Sequence, residues 1–394
     1  MAQRPLDGIT VVSLEHAIAA PFCTRQLADL GARVIKVERP GVGDFARGYD
    51  DRVHGLASHF VWTNRSKESL TLDVKHAEAD TVFARLLEQA DVLVQNLAPG
   101  AAARLGLSFE ALHEKYPRLI VCDISGYGDS GPYRDKKAYD LLIQSESGFL
   151  SITGTPDEPA KAGCSIADIS AGMYAYSNIL AALIQRSKTG KGSRVEVSML
   201  EAMAEWMSYP LYYSIDGAAP PPRSGAAHAT IYPYGPFTAG DGKVVMLGLQ
   251  NEREWAIFCD KVLLRPELAG DARYASNLKR TAARHEVKEL VELAFAGLDA
   301  AQVEARLEAA GIANARVNDM HDLWQHEQLQ ARGRWVEVDS PAGKLPALLP
   351  PGLPSDVAPR MDAVPALGQH TASILAGLGY APADIERLRT ERAI

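Results

Sequence analysis

A surplus of basic residues is missing. The 394-residue chain carries 41 Lys and Arg against 49 Asp and Glu, a formal net charge of -8. A nucleic-acid-binding protein ordinarily shows the opposite balance, so that class is set aside. An anionic small ligand stays open, because basic groups can cluster locally. Cysteine is scarce as well. Cys23, Cys122, Cys164 and Cys259 are scattered, with no CxxC pair. In a chain of this length they read as reduced thiols of a cytoplasmic protein. Cys164 lies near Asp168, where a nucleophile is one reading and a small buried filler the plainer one. Long apolar runs are absent too. No segment approaches the ~20 residues that cross a bilayer, so no membrane partner is expected. The opening stretch MAQRPLDGITVVSLEH lacks the basic segment and apolar core of a secretory leader.

Three motifs are also missing. The first βα turn reads LEHAIAAPF and not GxGxxG, so a pyrophosphate could not approach its backbone as dinucleotide enzymes require. GVGDFARG falls after the second strand, at the wrong spacing. A nicotinamide enzyme is therefore disfavoured, although Glu38 stands where a ribose-binding acid would. No GxSxG elbow marks an α/β-hydrolase. No His/Cys/Asp spacing marks a metal site, so no metal is expected.

What is present is a repeated β-α-β pattern. GITVVSL and RVIKVE (33–38) read as strands flanking the helix FCTRQLADLGA. TLDVK, EADTVFARLLEQA and DVLVQNL repeat the order, and FEALHEKYP precedes RLIVCDISGYG. Such units build a parallel sheet with right-handed crossovers. The fold class is α/β: a doubly wound, Rossmann-like large domain plus a smaller α+β domain. The large domain is predicted over 1–215. Residues 216–236 contain five prolines and little periodicity, and read as a linker. The small domain spans 237–330 and opens with FTAGDGKVVMLGL, a hairpin with a DG turn. Residues 331–394 are expected to return to the large domain.

Asp168 opens a long apolar helix at about 168–187. Ser165 and Asp168 fit a capping box, Ser-x-x-Asp, which is the purely structural reading of that acid. Arg39, Lys67, Lys75, Arg104, Lys136 and Lys137 fall near predicted strand and helix ends. Their ordinary fate is a solvated face. Gathered at one sheet edge, they would hold phosphates. His16 sits in the first βα turn, where a lone histidine is more often structural than catalytic.

Taken together, these pieces resemble the class III coenzyme A transferases, the family of formyl-CoA transferase and carnitine CoA-transferase. The carriers are PLDGITVVSLEHAIAAPFCTRQLADLGARVIKVERPGVGDFAR, NRSKESLTLDVK, DVLVQNLAPGAAARLGL and ADISAGMYAYSNILAALIQRSKTGKGSRVEVSMLEA. They run almost end to end. EHAIAAPFCTRQLADLGARVIKVERPGVGDFAR looks most like the mesaconyl-CoA and itaconate/succinyl-CoA branch.

The resemblance implies an enzyme that moves coenzyme A between carboxylic acids, with acyl-CoA as substrate. Its nucleophile matches Asp168 in ADISAG. A carboxylate of ordinary pKa, about 3.9, is ionised at neutral pH and attacks without a base. The implied CoA site comprises Ala17 and Ile18, Arg39, Leu72, Asp73 and Lys75, Asn96, Leu97 and Ala98, Arg104, Lys137 and Tyr139. His16 and Arg47 are assigned to the acyl part. Arg47 would hold a second carboxylate with its guanidinium fork. Asp44 and Asp50 flank it, so an exposed ion pair is the plainer reading.

Two departures set the chain apart from formyl-CoA transferase. Ile18 replaces a glutamine, and LGLQNERE (247–254) stands near the place of a polyglycine loop. Both disfavour oxalate and formate, and C4–C5 dicarboxylates are expected. The family also contains α-methylacyl-CoA racemases, whose GHD histidine is matched here by Tyr139 in KAYDLL. That argues for transfer over racemisation. A CoA-binding protein without activity is the remaining class, and the intact Asp168 motif argues against it. The family fold implies an interlocked homodimer.

Overall fold

Six short strands build one sheet in the computed structural model, which describes residues 3–353 and 355–394. They are β1 (Thr10–Leu14), β2 (Arg33–Glu38), β3 (Lys67–Thr71), β4 (Val92–Gln95), β5 (Ile120–Ser125) and β6 (Arg194–Ser198). Their order is β3-β2-β1-β4-β5-β6, and every neighbouring pair is parallel. The central strands are continuously apolar: Val11, Val12, Val92, Leu93 and Val94 are fully buried. That is the pattern of a sheet covered by helices on both faces. The order reverses between β1 and β4, and the crevice beyond their carboxyl ends is where such sheets take ligands.

The helices Ala19–Asp29 and Ile166–Thr189 pack together on one face. Gly172 sets their spacing, since a Cβ there would lie 2.7 Å from the Ala19 carbonyl oxygen and 3.0 Å from the Phe22 ring. A second core joins Val82, Phe83, Leu86 and Leu112 to Ile374, Leu375, Ile385 and Leu388. The end of the chain thus packs under the N-terminal sheet. It also occupies the free edge of β3. The Ser69 N–H donates to His370 Nδ1 (3.1 Å), the Ser69 carbonyl accepts from the His370 N–H (3.0 Å), and the Thr71 N–H donates to Thr371 Oγ1 (2.9 Å).

The chain divides into two compact units, one of residues 1–147, 162–207 and 329–394, the other of 148–161 and 208–328. Besides the main sheet, the first unit holds an antiparallel ribbon, which numbers in chain order as β10 (Trp335–Val338) and β11 (Leu345–Leu348). The second unit has an antiparallel sheet in the order β7 (Tyr234–Thr238), β8 (Val244–Gly248), β9 (Ala313–Arg316). Phe237, Trp255, Phe258, Phe295 and Leu307 fill its core.

Two readings of the sequence need correction. The third strand is KESLT, not TLDVK, because its ladder ends where Thr71 pairs with Glu38, and Leu72–Lys75 forms the turn beyond. Residues 216–236, read as a linker, run into β7 at Tyr234 and make contacts of their own. Tyr232 is buried and its N–H donates to Asn277, while the Arg223 guanidinium donates to the Thr155 and Pro156 carbonyls.

Candidate active site

At the carboxyl end of β1 the chain turns over a buried charge cluster. The side chains of Glu15, Lys36, Asp44 and Lys67 have no exposed surface. Lys36 Nζ donates to Asp44 Oδ2 (2.7 Å) and lies 3.3 Å from Glu15 Oε1. Lys67 Nζ donates to Glu15 Oε1 (2.7 Å) and to the Pro21 carbonyl (3.0 Å). Two cations and two anions cancel, which makes their burial tolerable. Burial works against the Glu15 anion, yet Lys67 and Lys36 outweigh it and hold its pKa below the usual range. Burial, with Lys36 as a like charge, brings Lys67 down to about 8.

This cluster fixes the turn above it. Asp44 Oδ1 accepts from the N–H groups of Ala17 (3.0 Å) and Ala46 (2.9 Å). Ala17 has φ 61°, a left-handed conformation that a non-glycine residue adopts only when held there. Across the switch point the Asn96 side chain accepts from the His16 N–H and donates to the His16 carbonyl, each at 2.9 Å. The helix that follows has no side-chain cap at Ile18, so its first amides keep their hydrogen-bonding capacity. His16 stacks on Phe45 at 4.5 Å, and burial lowers its pKa, so the imidazole is neutral at pH 7 and no phosphate-binding cation.

Beside this turn lies a cleft of about 1870 Å³, entirely within the first unit. Six Arg and Lys side chains line it, against the acids Glu38, Asp73 and Asp80. Arg39, Lys75 and Arg104 had been read from the sequence. Lys115, Arg389 and Arg392 had not. A protein of net charge -8 thus keeps a locally basic cleft.

Asp168 sits in the first turn of Ile166–Thr189. The Ser165 hydroxyl makes no cap, so the expected capping box does not form. Asp140 caps this helix from elsewhere: its Oδ1 accepts from the N–H groups of Ala167 (2.8 Å) and Asp168 (3.2 Å). Burial, and then the Asp140 charge, push the Asp168 carboxyl up to about 7. The expectation of an ordinary, fully ionised aspartate is thereby corrected. Gly172, one turn on and on the same helix face, touches Ala19. Asp168 thus shares the helix face that packs on the start of Ala19–Asp29. Tyr49 lies within electrostatic reach of both Asp168 and Tyr139.

The structure brings His16, Arg39, Leu72, Asp73, Lys75, Leu97 and Arg104 into one cleft wall. Ala17 and Ile18 form the adjoining turn, Asn96 braces it through His16, and Ala98, after Leu97, is exposed. Lys137 and Tyr139 are not on that wall; both are exposed. Lys136 pairs with Glu146 over the rings of Tyr127 and Tyr133, and Lys67 is in the buried cluster. Arg47 is neither an exposed ion pair with its neighbours nor an open receptor. Its Nε and one terminal nitrogen grip Glu38 in bidentate fashion, both at 2.8 Å, and it stacks 3.7 Å from the Phe60 ring centre. The fork expected to take a substrate carboxylate is already filled, and it holds Glu38 down to about 2 although burial opposes this. Among the described residues no group of His, Cys, Asp and Glu could hold a metal. No described helix is long and apolar enough to cross a membrane.

A parallel sheet with a basic crevice and an acid at the adjoining helix start suits an enzyme that holds an anionic ligand beside a carboxyl group. CoA-transferase family III matches residues 6–371, and the chain belongs to that family. It is 34% identical over 385 residues to the succinate–glutarate CoA-transferase of Agrobacterium fabrum, covering 95% of this chain and 96% of that one. It is 33% identical over 393 residues to the succinyl-CoA:glutarate CoA-transferase of Mus musculus, covering 98% and 89%. A crystal structure of a CAIB/BAIF family protein from Brucella suis matches with a TM-score of 0.83 and 34% identity, over 96% of this chain and all of that one.

Proposed function

We propose that the enzyme moves coenzyme A between C4–C5 dicarboxylic acids, with succinyl-CoA as one partner, and that Asp168 carries the acyl and CoA groups in turn. The observation that carries this reading is the position of Asp168, in the first turn of a helix whose same face packs on the start of Ala19–Asp29, a helix whose first amides no side chain caps. An Asp168 oxygen attacks the thioester carbonyl, the C–S bond breaks, and a mixed anhydride and CoA thiolate result. The thiolate attacks the aspartyl carbonyl, which releases the donor acid and leaves an aspartyl-CoA thioester. The acceptor carboxylate attacks that carbonyl, giving a second anhydride and freeing the thiolate again. Attack on the acyl carbonyl then yields the new CoA ester and restores the Asp168 carboxylate. The uncapped amides suit the oxyanions formed on the way. Arg39, Lys75 and Arg104 suit the CoA phosphates, with Lys137 and Tyr139 joining from their exposed loop. The same reading takes the enzyme as a cytoplasmic, interlocked homodimer. The exposed Tyr209, Leu211, Tyr212, Tyr213 and Ile215 offer a face for the second copy.

The test uses wild type and Asp168→Ala with succinyl-CoA and a panel of dicarboxylates including glutarate, with new CoA esters followed by mass spectrometry. Wild type should form at least one dicarboxyl-CoA. Asp168→Ala should lose at least ~10³-fold of that rate, the scale for removing a covalent nucleophile. Hydroxylamine added during turnover should mark the peptide carrying Asp168. Transfer by Asp168→Ala at the wild-type rate refutes the mechanism. No transfer to any dicarboxylate refutes the substrate class.

A further inference from the structure

Arg389 and Arg392 line the same cleft as Lys75 and Arg104, reaching it from the far end of the sequence. Their placement is built into the fold. Ala393 is fully buried, its carbonyl accepts from the Asp73 N–H at 2.7 Å, and its N–H donates to the Leu388 carbonyl at 2.8 Å. Asp73 belongs to the turn Leu72–Lys75 on the same wall, so residues 391–394 and that turn are tied as one lip. Arg392 sits in the left-handed region at φ 59°, a conformation an arginine keeps only when its neighbours fix it. Arg392 has no carboxylate partner among the described residues. Arg389 has only Glu386, at 3.1 Å and exposed. Two guanidinium groups, one of them unpaired, thus stand at a cleft wall already rich in cations.

We propose that Arg389 and Arg392 form a phosphate clamp for the nucleotide end of CoA. The proposal rests on the CoA-transferase reading above and adds residues that it does not contain. The guanidinium fork matches a phosphate bidentately, and its charge is kept at any working pH. The clamp gives the last helix, Pro382–Thr390, a binding role besides its packing role.

Calorimetric titration with CoA, dephospho-CoA and phosphopantetheine tests this without regard to the acyl group. R389Q/R392Q should weaken CoA binding about tenfold, the scale of one or two lost charged contacts at an exposed site. Its binding should also depend less steeply on salt than that of wild type. A loss with CoA but not with dephospho-CoA supports contact with the 3′-phosphate. A loss with both supports contact with the pyrophosphate. The single variants Arg392→Lys and Arg392→Glu guard against misfolding of the double variant. Affinity should fall in the order wild type, Lys, Glu, with unchanged unfolding midpoints. Equal CoA affinity across the series overturns the clamp. Wild type that fails to bind CoA overturns the functional reading itself.

Discussion

Asp168 combines two roles that pull its charge in opposite directions. Nucleophilic attack needs the carboxylate, while burial and Asp140 favour the acid and raise the group from 3.8 to about 7. The anion is the reactive form, so kcat/KM for acyl-CoA should rise about tenfold per unit below pH 7 and level off above it. Asp140→Asn removes the like charge but keeps an oxygen to cap the helix. The midpoint should then move to lower pH. A profile flat from pH 5 to 8, or a midpoint unmoved in Asp140→Asn, contradicts this account. The same shift fixes a stability trend. The folded state binds the Asp168 proton more tightly than the unfolded chain, so this contribution is full below about 3.8 and lost as pH rises through about 7. Residues of this kind show what a sequence conceals. Ser165 stands three positions before Asp168 and looks like its cap, but the working cap is Asp140, 28 residues away. Arg47 is flanked by Asp44 and Asp50, yet its partner is Glu38, the last residue of β2. Lys67 had the look of a solvated cation and is buried, because Glu15, just past the end of β1, meets it there.

Secondary-structure elements were easier to read than partners. RVIKVE is β2 to the residue, and the β7–β8 hairpin turns within FTAGDGKVVMLGL, although β7 begins at Tyr234, inside the stretch read as a linker. Apolar runs and turn chemistry are local, so the chain itself carries them. TLDVK failed because alternation continues past the end of the ladder, where the Asp73 side chain accepts from the Lys75 N–H and turns the chain. The helix Ser58–Asn64 went unread, being short and only partly apolar. The long helix depends on one residue that propensity scales disfavour. Gly172 is placed mid-helix because the Ala19 carbonyl leaves no room for a Cβ. Gly172→Ala should lower stability by about 1–3 kcal/mol, the cost of overpacking, despite alanine's better helix propensity. It should also reduce kcat, since Asp168 rides one turn away. Gly297→Ala, where a Cβ would meet nothing within 4 Å, is the control. Equal unfolding midpoints for the two variants contradict this view of the interface.

Across the whole molecule, the total charge of -8 conceals a cleft where six cations outnumber three acids. No window of sequence displays that, because the cations come from positions scattered between 39 and 392. The seal on β3 has a consequence in time. That strand leaves the ribosome early, whereas His370 and Thr371, which occupy its outer edge, come some 300 residues later. At roughly 5–20 residues per second, the edge stays bare for about 15–60 s during every round of synthesis. A bare edge strand is a template for pairing with another chain. The newborn enzyme should therefore need a holding chaperone for that interval. Arrested nascent chains ending before residue 365 are expected to be cut by protease around β3, and chains extended past 394 by a linker to resist. Early protection would show that the edge is shielded before its own cover arrives.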